Sequence, residues 1–145
     1  MLRKKTATYA LLAIYEIAQQ NNGSKSPAGV RAGDIANKHN LPKAYAAKIL
    51  SQLANAGILH SDRGPRGGFR LNRAPETISL YDVFDGVGAF ISFEKQDEHF
   101  QSMPSAVQTT MSRAHDDAHV RLKELFAGTS LVDLLDSQLA VASHT

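Results

Sequence analysis

The stretch GDIANKHNLPKAYAAKILSQLANAGIL, residues 33–59, constrains this chain more than any other. Ile35 and Ala36 anchor a short amphipathic helix, and Asp34 in its first turn suits the helix dipole. The pattern breaks at His39–Leu41, where Asn40 tolerates the left-handed conformation that ends a helix. Pro42 suits the first turn of a second helix, which buries Ala46, Ile49, Leu50 and Leu53 and stops near Gly57. A break of three residues leaves room for nothing except a tight turn between two helices, so the segment reads as a helix-turn-helix.

Next along the chain is RGPRGGFRL, Arg63–Leu71, between the strand candidates ILHSD and FRLN. Glycine and proline mark the loop of a β-hairpin. A hairpin directly after the second helix of a helix-turn-helix is a wing.

The flanking segments read as helices. Ala7, Ala10, Leu11, Ile14, Ile17 and Ala18 share one face of a helix over roughly residues 3–20, and NNGSKSPAG is a polar loop. Ser79–Asp82 forms a capping box opening a short helix that buries Leu80, Val83, Phe84 and Val87. Residues 88–103 show no clean period and read as an irregular connector. From Pro104 to about Ala127 a long helix places Val107, Met111, Ala114, Ala118, Leu122 and Leu125 at steps of four, three, four, four and three. That near-heptad seam fits close helix–helix packing, either in the chain's own core or, since little else is left to cover so long a helix, against a second copy. Gly128 ends it, and a second capping box, Ser130–Asp133, opens a last amphipathic helix. The fold class is therefore mainly α with a small β-hairpin wing: a winged helix-turn-helix over residues 1–78, then a helical dimerisation and effector region over 79–145.

Charge divides along the same line. Residues 1–75 hold 12 Lys and Arg against 3 Asp and Glu, whereas residues 76–145 hold 4 against 11. A basic half suits a polyanion. With no cysteine there are no disulfides, thiolate metal sites or thiol nucleophiles. MLRKKTATYALLAIYEIA superficially resembles a signal peptide, but Glu16 interrupts it within a helical pattern. No apolar run approaches the ~20 residues of a membrane helix, so a cytoplasmic location is expected. GPRGGFR lacks the lysine and subsequent helix of a phosphate-binding loop, and no catalytic triad is evident, so no enzyme is expected.

These features converge on double-stranded DNA. A helix of ~10–12 Å diameter enters the major groove, where all four base pairs are distinguishable. The face opposite the buried stripe carries Lys43, Ala44, Ala47, Lys48 and Ser51, with Tyr45 at its margin. The wing would send Arg63 or Arg66 into the adjacent minor groove, while Gly64, Gly67 and Gly68 keep the backbone slim enough to approach it.

In these segments the chain resembles the Rrf-two family of bacterial winged-helix transcription regulators (IscR-, NsrR- and CymR-like proteins). RGPRGGFRL, with PETISLYDVFDGV after it and YAAKILSQLANAGIL before it, carries the resemblance over residues 5–90, and more loosely beyond. It implies a homodimer joined through the long helices, with two winged helices presented to an imperfect palindrome; the regulator is read here as a repressor. It places Pro42, Lys43, Ala44, Tyr45, Lys48 and Ser51 on the recognition face, and Arg63, Gly64, Pro65, Arg66, Gly67 and Gly68 in the wing. Three departures stand out. The cysteines of cluster-holding members are absent from about residues 88–106, so no cofactor is expected. Pro42 stands where a serine cap is usual. Arg66 replaces a wing glycine.

His115 and His119 stand four apart on the long helix, a spacing that can chelate a divalent metal with His99, Glu98 or Asp97. Asp116 is too short to serve as the base of an HExxH protease. A metal-responsive regulator and a winged-helix module that binds another protein are the alternatives. Operator and effector are not legible.

Overall fold

The computed structural model describes residues 2–22, 28–64, 67–91 and 97–136. Helix α1 (Lys4–Asn21) buries Ala7, Ala10, Ala13, Ile14, Ile17 and Ala18. The three- and four-residue spacing puts them in one stripe, and its alanines let neighbouring helices approach closely.

Helix α2 (Ala32–His39) ends at Asn40, whose φ of 55° and ψ of 46° are left-handed. That residue turns the chain so that the Leu41 N–H donates to the Ala36 carbonyl at 2.8 Å and the Leu41 side chain is buried. Helix α3 (Lys43–Asn55) then buries Ala46, Ile49, Leu50 and Leu53. Pro42 is extended at ψ 127° and occupies the N-cap rather than the first turn. Its fixed φ suits that entry, but it offers no side-chain oxygen to the first amides of α3.

Past Gly57, strands β1 (Leu59–Asp62) and β2 (Gly68–Leu71) pair antiparallel, Leu59 opposite Leu71 and Asp62 opposite Gly68. One pairing was not anticipated. Val30 and Phe69 exchange both backbone hydrogen bonds at 2.8 Å, which lays a third segment of the chain against the hairpin as a single β-bridge. Asn21, at the end of α1, accepts from the Leu71 N–H at 3.0 Å through Oδ1. The wing base is therefore tied to the body on two sides.

Helix α4 (Leu80–Gly86) opens with the expected capping box: Asp82 N–H donates to Ser79 Oγ at 3.0 Å and Ser79 N–H to Asp82 Oδ2 at 3.1 Å. It buries Val83 and Phe84, with Val87 just beyond, whereas Leu80, expected in the core, is half-buried. Within the supposed irregular connector there is a one-turn helix, α5 (Glu98–Gln101), capped by Asp97. A single turn is too short to display a hydrophobic period.

Helix α6 (Ser105–Ala127) starts directly after Pro104 and stops at Gly128. Leu80 N–H donates to the Thr129 carbonyl and Leu131 N–H to the Ile78 carbonyl, pinning the end of α6 beside the start of α4. Ser130 and Asp133 form the second capping box, and residues 131–136 are helical. The remainder of the expected last helix lies outside the described residues. Side chains from both sides of residue 78, from Ala7 to Leu131, share one hydrophobic cluster.

Candidate nucleic-acid interface

Helix α3 leaves Pro42, Lys43, Ala44, Ala47, Lys48 and Ser51 exposed, which is the face expected from its periodicity. Tyr45 differs. Its ring packs edge-on against Tyr9 at 5.3 Å and its hydroxyl hydrogen-bonds Thr6 Oγ1 at 2.7 Å. The ring therefore serves first to fasten α3 to α1.

In the wing, Arg63 is exposed and has no ion-pair partner among the described residues. Asp62 beside it is engaged by Arg70 Nε at 3.1 Å and lies 3.3 Å from His60 Nε2. Pro65 and Arg66 lie outside the described residues. Gly67 and Gly68 have an intramolecular reason to be glycine, besides the expected clearance for DNA. A Cβ on Gly68 would stand 2.8 Å from backbone carbons of Gly29 and Val30, and one on Gly67 would stand 2.4 Å from the Asp62 carbonyl oxygen. Their lack of side chains lets the wing close and the third segment pair with it.

Glu16 is the feature missed at this site. It lies on the buried side of α1 and is only 5% exposed. Its carboxylate accepts from Lys38 Nζ at 2.7 Å and Gln20 Nε2 at 3.0 Å, and stands 3.2 Å from His39 Nε2. Hydrogen bonding from Lys38, opposed by burial, holds its pKa down at about 2. The last turn of α2, just before the tight turn, is thus tied to α1. The signal was visible: a carboxylate between Ile14 and Ile17 must find a cation.

On α6, Val107 (42% exposed), Met111 (46%) and Leu125 (64%) are uncovered, Ala114 is exposed, and Ala118 and Leu122 are half-buried. The seam stands roughly a quarter-turn from the inward side, where Phe126 packs on Phe84 at 4.8 Å and His119 on Phe90 at 5.4 Å. His115 and His119 stack at 6.2 Å. The Nδ1 of His119 is buried without a hydrogen-bond partner among the described residues, and desolvation, then the Lys123 and His115 charges, lowers its pKa. Among the described residues no group of three or more His, Cys, Asp or Glu side chains is placed to hold a metal ion.

Residues 3–137 match the family model Rrf2, described as "Iron-dependent Transcriptional regulator". The chain belongs to the Rrf2 family. An HTH-type transcriptional regulator IscR of Aliivibrio salmonicida is 27% identical over 129 residues, covering 88% of this chain and 73% of that protein. CymR, the global cysteine regulator of B. subtilis, is 28% identical with a TM-score of 0.65, covering 100% of this chain and 99% of the other. T. potens IscR shares the fold at 22% identity and a TM-score of 0.64, over 92% of this chain and 85% of that one. This Rrf2 protein is accordingly a DNA-binding transcription regulator of winged-helix fold, and its relatives are regulators rather than enzymes. An iron–sulfur cluster held by thiolates does not fit it, because the chain has no cysteine to donate. No helix among the described residues is long and apolar enough to cross a membrane.

Proposed function

We propose that this protein is a homodimeric repressor that reads a palindromic operator without an iron–sulfur cluster and acts in the cytoplasm. The observation that carries the reading is the coexistence of two exposed surfaces. One is the basic, small-residue face of α3, with Arg63 beyond it and without an ion pair among the described residues. The other is the apolar seam of α6, exposed at Val107, Met111 and Leu125. A helix face of alanines and lysines suits close approach to base edges and phosphates. A long apolar stripe left in water suits a second copy, and two-fold pairing would present two winged helices to two half-sites.

In this reading residues 1–78 bind DNA and 79–145 assemble the dimer. Lys43, Lys48 and Ser51 contact the major groove, with Pro42, Ala44 and Ala47 allowing close approach, and Tyr45 supports them from behind. Arg63 enters the minor groove, assisted by Arg66. The dimer silences transcription by occupying the promoter.

The test is fluorescence anisotropy of the untreated protein with a duplex from its own promoter and a scrambled duplex, over a salt series. Selective, salt-sensitive binding supports the reading. Weak or unselective binding overturns it: the protein then needs an effector to become competent, or its partner is a protein.

A further inference from the structure

Three consecutive cations, Arg3, Lys4 and Lys5, stand just ahead of and at the start of α1, and the expected interface leaves them unused. This segment is held in place. Leu2 pairs with Phe90, and the Arg3 N–H donates to the Ala89 carbonyl at 2.7 Å. This sets Arg3 in the wall of a cleft of about 310 Å³ between the beginning of α1, one side of α3 and the turn after α4. Lys48, Gln52 and Tyr45 from α3 and Thr6 from α1 line the same cleft.

Lys48 belongs both to this cleft and to the exposed face of α3. Gln52 and Tyr45 lie one step further round the helix, toward α1. The cleft therefore opens beside the candidate recognition face.

Its chemistry is that of a receptor for an anion. No carboxylate is among its described lining residues. Neither Arg3 nor Lys48 is in an ion pair among the described residues, and both are exposed. Thr6 and Tyr45 share one hydrogen bond in which either can donate. Two hydroxyls and one bond between them leave one O–H proton over, and Gln52 adds an amide donor. Two cations and two neutral donors lining one small cleft suit a tetrahedral phosphate oxyanion.

We infer that this cleft grips a DNA backbone phosphate flanking the groove read by α3, with Arg3 as the main charged contact. The inference deepens the DNA-binding reading and rests on it. It adds Arg3 and Gln52 to the interface and gives the Thr6–Tyr45 pair a second role. Because a phosphate carries no base identity, the contact sets affinity and register rather than sequence preference.

The experiment uses the full-length chain without N-terminal additions, a duplex from its own promoter, and a scrambled duplex of the same composition. Affinities are measured by anisotropy across a sodium chloride series. Arg3→Ala should flatten the slope of log affinity against log salt by about 0.9 and weaken both duplexes alike, roughly tenfold near 0.1 M salt. Arg3→Lys should keep most of the slope. Gln52→Glu, which puts a carboxylate in the cleft without touching α1, should weaken both duplexes at an unchanged melting temperature. If Arg3→Ala and Gln52→Glu bind as the wild type does while Arg63→Ala binds less, the DNA reading stands and the phosphate cleft is overturned. If the wild type binds neither duplex, both fall.

Discussion

Lys38 Nζ lies 2.7 Å from Glu16 Oε1, an ion pair that couples the end of α2 to the buried face of α1. The Glu16 side chain is 6% exposed and that of Lys38 62%, so the carboxylate is desolvated while its partner stays wet. Because the Glu16 pKa is lowered from 4.5 to about 2, the stabilisation belongs to the ionised form. It is complete above pH 4.5 and disappears as pH falls through 2. Glu16→Gln should therefore destabilise the fold by about 1–2 kcal/mol at pH 7, after discounting for the exposed lysine. The deficit should shrink below pH 4. Urea midpoints at pH 7 and pH 3 check this, and equal deficits at both would refute it.

Gly68→Ala should cost about 1–3 kcal/mol, since its Cβ would meet backbone that has no flexible end to move. The amides of Val30 and Phe69 should exchange faster with solvent. Gly33→Ala is the contrasting case: nothing stands within 4 Å of its Cβ, and α2 should gain up to about 1 kcal/mol. Thermal melts of the pair test whether backbone proximity, rather than glycine itself, decides the sign.

If Arg63 enters the minor groove as proposed, Arg63→Ala should weaken operator binding by about 1–3 kcal/mol. An exposed side chain with no ion pair among the described residues should leave the melting temperature unchanged. Unaltered affinity would remove the wing from the interface.

Met111→Glu places a charge in the middle of the exposed seam, at a position 46% accessible in the single chain. It should yield folded monomers in sedimentation and weaken palindrome binding more than half-site binding. Ala118→Glu should act likewise. A dimer surviving both would place the interface elsewhere.

His119 should resist protonation, because its depressed pKa means that charging it costs folding free energy. The neutral ring's stability is present above about pH 6.5 and is lost as pH falls through the lowered value. His119→Phe removes an Nδ1 that has no hydrogen-bond partner among the described residues and keeps a ring against Phe90. The melting temperature should rise, and the decline between pH 7 and pH 5 should become shallower.

Much of the fold was legible because its signals are local. Asn40 in the left-handed region, Ser79 with Asp82 and the apolar stripe of α3 are decided by residues within four positions of one another. The exposed face of α3 came from the same periodicity. The third segment beside the wing was not legible, since one short stretch pairing through Val30 has no period. Nor was α5, a single turn. Nor was the packing of Tyr45, expected at the margin of the recognition face, since Tyr9 and Thr6 reach its ring and hydroxyl from a distant helix.

By itself, the sequence determined the order of the longer helices and the hairpin, the basic character of the first half and the absence of thiolate ligands. Those are properties of residue type and short-range spacing. Only the tertiary structure decided that Glu16 would meet Lys38 and His39, that Gly68 must be bare for Val30 to pair, and that Arg3 would line one cleft with Lys48. Such meetings join residues far apart in the chain, and their distance and angle depend on how whole helices pack.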